Sequence, residues 1–425
     1  VIFVLPGLAL GYFIYKRKLP PRLSSVFAPL LGGRIYDWPG KIIDIVAIIG
    51  TIFGIAVSVG LGVLQINAGM NMLWGVPLVS WVEMAIIAFI TLVACISVAS
   101  GLDRGIKILS NLNMGLAVLL MLFILVTGPT LTLLKFIVES FGIYASTMPE
   151  LMFWVDSFSH NPGWQGTWTV FYWAWSICWS PYVGMFIARI SRGRTVREFI
   201  GGVLLLPTLF VTIWFAIFGR AGIEVELDNP GYLTGPVVEE GNVPFALFGL
   251  LEAYPLTAVT AVLAMVVIVL FFITSIDSAA LVVDMFATGE EEKTPTWYRV
   301  GWALSIGAVT GSLLLISPET GIATLQEVVI IVALPFFVIQ MIMMYSLFKG
   351  MLDDSAAPKQ LRTRQWEKTD TAEKLLASEA RPSPGFDAEG NPLPVPVLEH
   401  DEEGNIVIPG NVVIGGDLIT DEAAE

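Results

Sequence analysis

Nine stretches of this chain are so continuously apolar that each must be a membrane helix, and nothing else constrains the fold as tightly. They lie at roughly 1–15, 42–70, 78–100, 114–136, 168–190, 199–219, 256–284, 299–317 and 326–348. A span takes about 20 mostly apolar residues. Lipid offers no water to unpaired backbone groups, so such runs close their hydrogen bonds internally as helices. The period-two alternation of a membrane barrel is missing from them. Only 14% of the 425 residues are charged, against about 25% in soluble domains, and the mean hydropathy is +0.75. The fold class is therefore an all-α polytopic membrane protein.

Lys and Arg in the short loops set the orientation. Lys16, Arg17, Lys18, Arg22 and Arg34 follow the first run, Arg104 and Lys107 the third, and Arg192, Arg194 and Arg197 the fifth. The intervening loops are acidic or neutral, with Glu224, Glu226, Asp228, Glu239 and Glu240 against Arg220. The alternation places these basic loops and the C-terminus in the cytoplasm of a multi-pass protein of the cell membrane. The chain opens at Val1 inside an apolar run. The expectation is a fragment that lacks an odd number of preceding spans.

Two compartments follow, a membrane core at 1–348 and a cytoplasmic tail at 349–425. The tail holds 16 Asp and Glu against 7 Lys and Arg, nine of the chain's fourteen net negative charges. Its Pro-rich stretch at Arg381–Pro396 has the composition of a disordered segment. Two β-prone runs, Asn405–Ile408 and Asn411–Ile414, are candidates to pair as a hairpin or to dock on a partner. Outside the membrane, Met148–His160 carries Leu151, Trp154, Val155 and Phe158 at helical spacing. That pattern predicts a helix lying along the surface.

The composition also excludes. Two His and two Cys, Cys95 and Cys178, cannot build a His/Cys metal cluster or a disulfide framework. A net charge of −14 is wrong for nucleic acid. His160 and His400 both lie outside the spans, no nucleophile–base pair presents itself, and no Gly-rich phosphate loop precedes a helix. The chain is not read as an enzyme.

The fifth run, WTVFYWAWSICWSP, sets Trp168, Phe171 or Tyr172, Trp175 and Trp179 on one helix face. A deep indole stripe receives cations that lack hydrogen-bond donors, at about 0.5–2 kcal/mol per ring. Helix packing is the alternative reading. Pro181 frees a backbone carbonyl that an ion or substrate can use. In the seventh run, Thr274, Ser275 and Asp277 are polar groups within a span, and paired hydroxyls with carbonyls suit a hard cation such as Na⁺. Hydrogen bonding to the preceding turn is the alternative there. Gly50, Gly54 and Ser58 form a small-residue face for close helix approach. Its continuation through Gly60, Gly62 and Gly69 predicts an irregular helix.

Trp168 to Phe199 closely resembles the signature of the betaine/carnitine/choline transporter family. FFITSIDS at 271–278, KIIDIVAIIGTIFGIAVSVGLG at 41–62 and LSNLNM at 109–114 resemble the same family. The likeness covers residues 1 to about 350. It implies twelve spans built around two inverted five-helix repeats, with the first three spans absent here. It implies no catalytic residue and no cofactor, with Na⁺ as coupling ion, and uptake of a quaternary-ammonium or related compatible solute such as glycine betaine, choline or carnitine. Trp175 and Trp179 match tryptophans that box the trimethylammonium group. Ser176 stands where betaine carriers usually have another Trp, which also admits a sulfonium osmolyte or ectoine. Phe3 falls where a Tyr often completes the cage, and Phe171 and Trp164 match aromatics of the access route.

The resemblance further assigns Phe271, Thr274 and Ser275 to a Na⁺ site. Met114 stands where Na⁺-independent exchangers carry an Arg, which favours symport. A second cation site of the family reads Thr51, Ile55 and Tyr182 here, and the Ile departs from its pattern. The outer amphipathic stretch resembles the helix that supports homotrimers. The acidic tail departs from the basic tail by which some members sense osmotic stress on anionic lipid. Two other readings stay open. One is an amino-acid or proton-coupled carrier or exchanger of the same fold, in which Ser176 is the polar anchor. The other is a membrane sensor or scaffold with a degenerate transport core.

Overall fold

The computed structural model describes residues 2–100, 103–158, 163–290, 294–316 and 321–356, and four two-residue strands between 399 and 418. The chain divides into two compact units, residues 1–356 and 357–425.

The first unit contains helices and no strand among its described residues. In chain order it contains α1 (Val4–Leu10), α2 (Ala28–Leu31), α3 (Trp38–Trp74), α4 (Ser80–Ser100) and α5 (Asp103–Thr127). Next come α6 (Thr130–Phe153), α7 (Phe171–Ile190), α8 (Val196–Asp228) and α9 (Phe245–Glu252). Last are α10 (Thr257–Thr288), α11 (Thr296–Ile316) and α12 (Gly321–Ala356). Three π-helical segments accompany this set, Gly11–Lys16 after α1, Gln165–Val170 before α7 and Gly235–Glu239 between α8 and α9. Among the described residues, eight helices are long and apolar enough to cross a membrane: α3, α4, most of α5, α6, α8, α10, α11 and α12. The protein is an all-α polytopic membrane protein.

The sequence marks several helix ends. α3 starts after extended Asp37 with Pro39 in its first turn, and it stops at Gly75, whose φ of +66° closes the helix. The Gly75 N–H donates to Asn71 O at 2.8 Å, and Val76 N–H to Met70 O at 3.5 Å. α8 opens on a capping box, in which Thr195 N–H donates to Glu198 Oε2 and Glu198 N–H to Thr195 Oγ1.

Two expectations about the outer region are corrected. The run at 114–136 is not one span, because Gly128-Pro129 ends α5 and α6 begins at Thr130. Proline disfavours helical backbone at the residue before it and has no N–H to extend the preceding helix. The surface helix expected at 148–160 does not form either. α6 takes residues 130–153, Trp154 is extended with ψ of 123°, and Asp156 has a φ of +47°. His160 lies outside the described residues.

α3 is the hub. It buries 61% of its most apolar stretch, more than any other spanning helix, whereas α6 and α8 bury 6% and 11%. The irregularity expected from its glycines is absent, and α3 runs unbroken for 37 residues. Its glycines are close-approach sites. A Cβ on Gly62 would lie 1.8 Å from the Phe272 ring of α10, and one on Gly60 would lie 3.0 Å from Leu325 of α12. In a bilayer, helices associate by such van der Waals approach rather than by hydrophobic burial.

A strap formed by residues 17–36 ties one end of the bundle together. The Arg17 guanidinium donates to Gly350 O and to Asp354 Oδ1, both at 2.8 Å, and Arg22 donates to Thr288 O at 2.6 Å. Ser24 gives both its N–H and its hydroxyl to the Asp44 carboxylate at 2.8 Å. Ser346 donates to Val26 O at 2.7 Å, and Lys349 to Pro29 O at 2.9 Å.

In the second unit, β1 (Glu399–His400) pairs antiparallel with β2 (Ile406–Val407), and β3 (Val413–Ile414) with β4 (Asp417–Leu418). The two β-prone runs therefore do not pair with each other; each pairs with a strand outside both runs. Pro409 between them lacks a donor, while Gly415-Gly416 between β3 and β4 is a sequence suited to a tight hairpin turn. Arg381–Pro396 lies outside the described residues.

Candidate functional site

The aromatic face of α7 is set against α3 by the absence of a side chain at Gly54. A Cβ there would stand 2.9 Å from Cys178 Cβ and 3.2 Å from Trp179 Cδ1. One turn further, Ser58 becomes the anchor of both indoles. Trp175 Nε1 donates to Ser58 Oγ at 2.9 Å and Trp179 Nε1 at 3.0 Å, with Gly54 O also 3.1 Å from Trp179 Nε1. The Ser58 hydroxyl donates in turn to Gly54 O at 2.7 Å. A hydroxyl has one donor and two acceptor positions, and here all three are filled. Both ring planes are thereby fixed from one point on the neighbouring helix.

Ring contacts continue along α7. Phe171 stacks on Trp175 (5.4 Å, 15°), Trp175 meets Trp179 edge-on (6.2 Å, 80°), and Trp179 meets Tyr182 edge-on (6.2 Å, 75°). The two indoles are half-buried and near perpendicular. They form a corner with π faces on both walls, the arrangement a donor-free cation favours. Phe171 is 2% exposed and backs this corner. Trp168 stacks on Tyr172 at 5.9 Å, nearer solvent.

The remaining residues expected around the indoles are more dispersed. Ser176 is half-buried and donates to Tyr172 O at 2.7 Å, so its proton is used within its own helix. Trp164 packs edge-on against Trp154 at 5.2 Å, just before the π-helical entry to α7. Phe3 caps α1 beside Ile2, whose carbonyl lies 3.4 Å from Gln340 Nε2 of α12. Gln340 also donates to Ser180 Oγ at 2.9 Å. The carbonyl that Pro181 leaves without its N–H is that of Ile177, and Ser180 Oγ donates to it at 2.7 Å. That carbonyl was expected to be open to an ion or substrate; a hydroxyl of the same helix already meets it.

On α10, Thr274 Oγ1 lies 3.0 Å from both Leu270 O and Phe271 O. Ser275 is half-buried one residue on, and the Phe271 ring is 48% exposed. Asp277 is buried and accepts from Ser97 Oγ of α4 at 2.6 Å, so a charge within a span is met by a neighbouring helix. Tyr182 of α7 reaches the Ser278 side chain. Thr51 and Ile55 are fully buried on α3, and Thr51 Oγ1 has no hydrogen-bond partner among the described residues. Met114 is 49% exposed on α5, while the adjacent Asn113 is buried.

Sequence reasoning missed Ser58 as a site residue and missed Gln340 entirely. Ser58 carried a signal: its step of four from Gly54 equals the step between the two tryptophans, so facing helices present matched pairs. Gln340 had none beyond being an amide within an apolar run.

The family model described as "BCCT, betaine/carnitine/choline family transporter" matches residues 1–356. The chain is 73% identical over 410 residues to the ectoine/glycine betaine/proline transporter EctP of Corynebacterium glutamicum, covering 96% of this chain and 67% of EctP. It is 40% identical to a glycine betaine/proline/choline transporter of Vibrio parahaemolyticus, over 83% of this chain and 62% of that protein. It is 39% identical to the glycine betaine transporter OpuD of Bacillus subtilis, over 82% and 67%. The chain thus spans about two thirds of the length of these relatives.

Proposed function

Because the chain belongs to the betaine/carnitine/choline transporter family, we propose that it works in the cell membrane as a secondary transporter for uptake of a compatible solute. The solute carries a compact cationic head, a quaternary ammonium as in glycine betaine and choline, or an N–H-bearing cation as in ectoine and proline, the solutes named for its relatives. The observation that supports this most is the pair of indoles, Trp175 and Trp179, pinned to Ser58. They offer a fixed corner of π surface and no negative charge that would hold the solute too tightly to release. Phe171 stiffens the corner by stacking on Trp175. Ser176 leaves that corner less aromatic than a third Trp would, which suits a head smaller or more polar than trimethylammonium.

The coupling ion in this reading is Na⁺, held on α10 by Thr274, Ser275 and the carbonyl of Phe271. Thr274 can leave its proton on the preceding turn and still offer an Oγ1 lone pair to the ion. Alternating access is a rocking of one helix group against the other about the α3–α10 and α3–α7 contacts, with the C-terminus in the cytoplasm. A homotrimer belongs to the same proposal, and the little-buried α6 is the helix available to form it.

The test is uptake of labelled glycine betaine, ectoine, proline and choline by the full-length parent of this chain in proteoliposomes, with and without an inward Na⁺ gradient. Gradient-driven uptake of one or more of them supports the proposal, and Thr274→Ala with Ser275→Ala should then abolish the Na⁺ dependence. Equal uptake without Na⁺ overturns the symport part in favour of an exchanger or a proton-coupled carrier. No uptake of any by folded protein overturns the assignment.

A further inference from the structure

Beside the strap, between α1 with its π-helical extension and the α7–α8 turn, lies a cavity of about 270 Å³ that the transport reading does not use. Its inner part is apolar and shallow-walled: Leu8, Gly11, Ala188 and Phe199 line it, and Gly11 and Ala188 contribute almost no side-chain bulk. Its outer part is ringed by Lys16, Ser191, Arg192 and Arg194, with Tyr12 and Tyr15 between. Three cations and no carboxylate line it.

The state of those cations decides what the slot can bind. Lys16 is 3.2 Å from Asp354, a carboxylate that also receives Arg17 at 2.8 Å and the Tyr12 hydroxyl. Its charge is therefore partly answered. Arg192 lies 5.5 Å from the centroid of the Tyr15 ring. Arg194 feels Glu198, whose carboxylate is held by Thr195 at the start of α8. Among the described residues neither Arg192 nor Arg194 has an ion-pair partner. Both stand exposed at the end of a membrane helix, where basic loops collect.

We propose that this slot binds one anionic phospholipid, with its phosphate on Arg192, Arg194, Ser191 and Lys16 and its glycerol and first acyl carbons along Leu8, Gly11 and Ala188. Guanidinium groups match phosphate oxygens in number and plane, and basic pockets between membrane helices on the cytoplasmic side take lipid headgroups. The apolar half lies between membrane helices and the charged half at their ends, so the slot changes polarity where a phospholipid does. A soluble anion would use the rim alone and leave the inner half empty.

The experiment is native mass spectrometry of the delipidated chain in a neutral detergent, titrated with phosphatidylglycerol, with phosphatidylcholine, and with phosphatidylglycerol against inorganic phosphate. One phosphatidylglycerol should be retained at least tenfold more tightly than phosphatidylcholine. Arg192→Ala with Arg194→Ala should weaken it about thirtyfold, the factor expected of two cations facing a lipid phosphate. Gly11→Leu keeps the charge and fills the inner half, since a Cβ at Gly11 meets Ala188 Cβ at an unstrained 3.7 Å. It should weaken retention just as strongly, and Ala188→Leu serves the same purpose if Gly11→Leu fails to fold. Arg34→Gln, a basic change outside the slot, should leave retention unaltered. Equal retention of the two lipids overturns the proposal. So does full retention in both slot-filling variants, which would mean surface charge alone. Displacement by inorganic phosphate at equal concentration overturns the lipid as the source of the phosphate.

Discussion

Ser58 shows how much of a binding surface one small side chain can organise. Its oxygen accepts from two indoles on another helix while its proton satisfies Gly54 O. Ser58→Ala leaves Trp175 Nε1 without its acceptor, whereas Trp179 keeps Gly54 O. An orphaned, partly buried donor costs about 1–3 kcal/mol. Solute affinity, read from quenching of tryptophan fluorescence, should fall about tenfold, and Ser58→Thr should restore most of it. Ser176→Trp tests the same corner from the other side. It should shift preference toward glycine betaine over ectoine and proline, measured as a ratio of uptake rates. An unchanged ratio would remove Ser176 from the specificity argument. The indole stripe was legible from the spacing of its tryptophans. Its anchor was not, because a serine following a glycine by four in a membrane helix reads as packing until the partner helix is placed.

At the scale of an element, α3 illustrates why glycine content misleads when it is read only as flexibility. Gly62 is required by the Phe272 ring and Gly54 by α7, whereas nothing lies within 4 Å of a Cβ at Gly50. Gly62→Ala should therefore destabilise the protein by about 1–3 kcal/mol through overpacking. Gly50→Ala should be neutral or stabilising by about 0.5–1 kcal/mol, because it relieves the helix-interior cost of glycine. Thermal melts of the two variants in one detergent check the contrast, and equal effects would mean that the glycines act through backbone freedom. α6 carries the opposite lesson. Its start was written in Gly128-Pro129, a local signal that averaging hydropathy across 114–136 conceals.

For the whole molecule, the strap at 17–36 joins the ends of α3, α10 and α12 through main-chain carbonyls and two carboxylates, Asp44 and Asp354. Asp354 is the most heavily used, meeting Tyr12, Lys16 and Arg17. Asp354→Asn leaves two cations facing one another without their counter-charge. Hydrogen exchange across residues 17–36 should accelerate markedly while α3 stays protected, and an unchanged exchange pattern would show that the carbonyl contacts suffice. The all-helical membrane class, the approximate position of most of the long helices and the aromatic face of α7 were determined by the sequence itself. Each depends on composition within one stretch or on a period along it, and lipid leaves a long apolar run no other structure. Which glycine receives which helix, that Ser58 holds both indoles, that Ser97 answers Asp277, and that a charged-and-apolar slot opens beside α7 were decided only by tertiary structure. Those facts are pairings between residues far apart in the chain, and a near-uniform apolar alphabet does not encode which faces will meet.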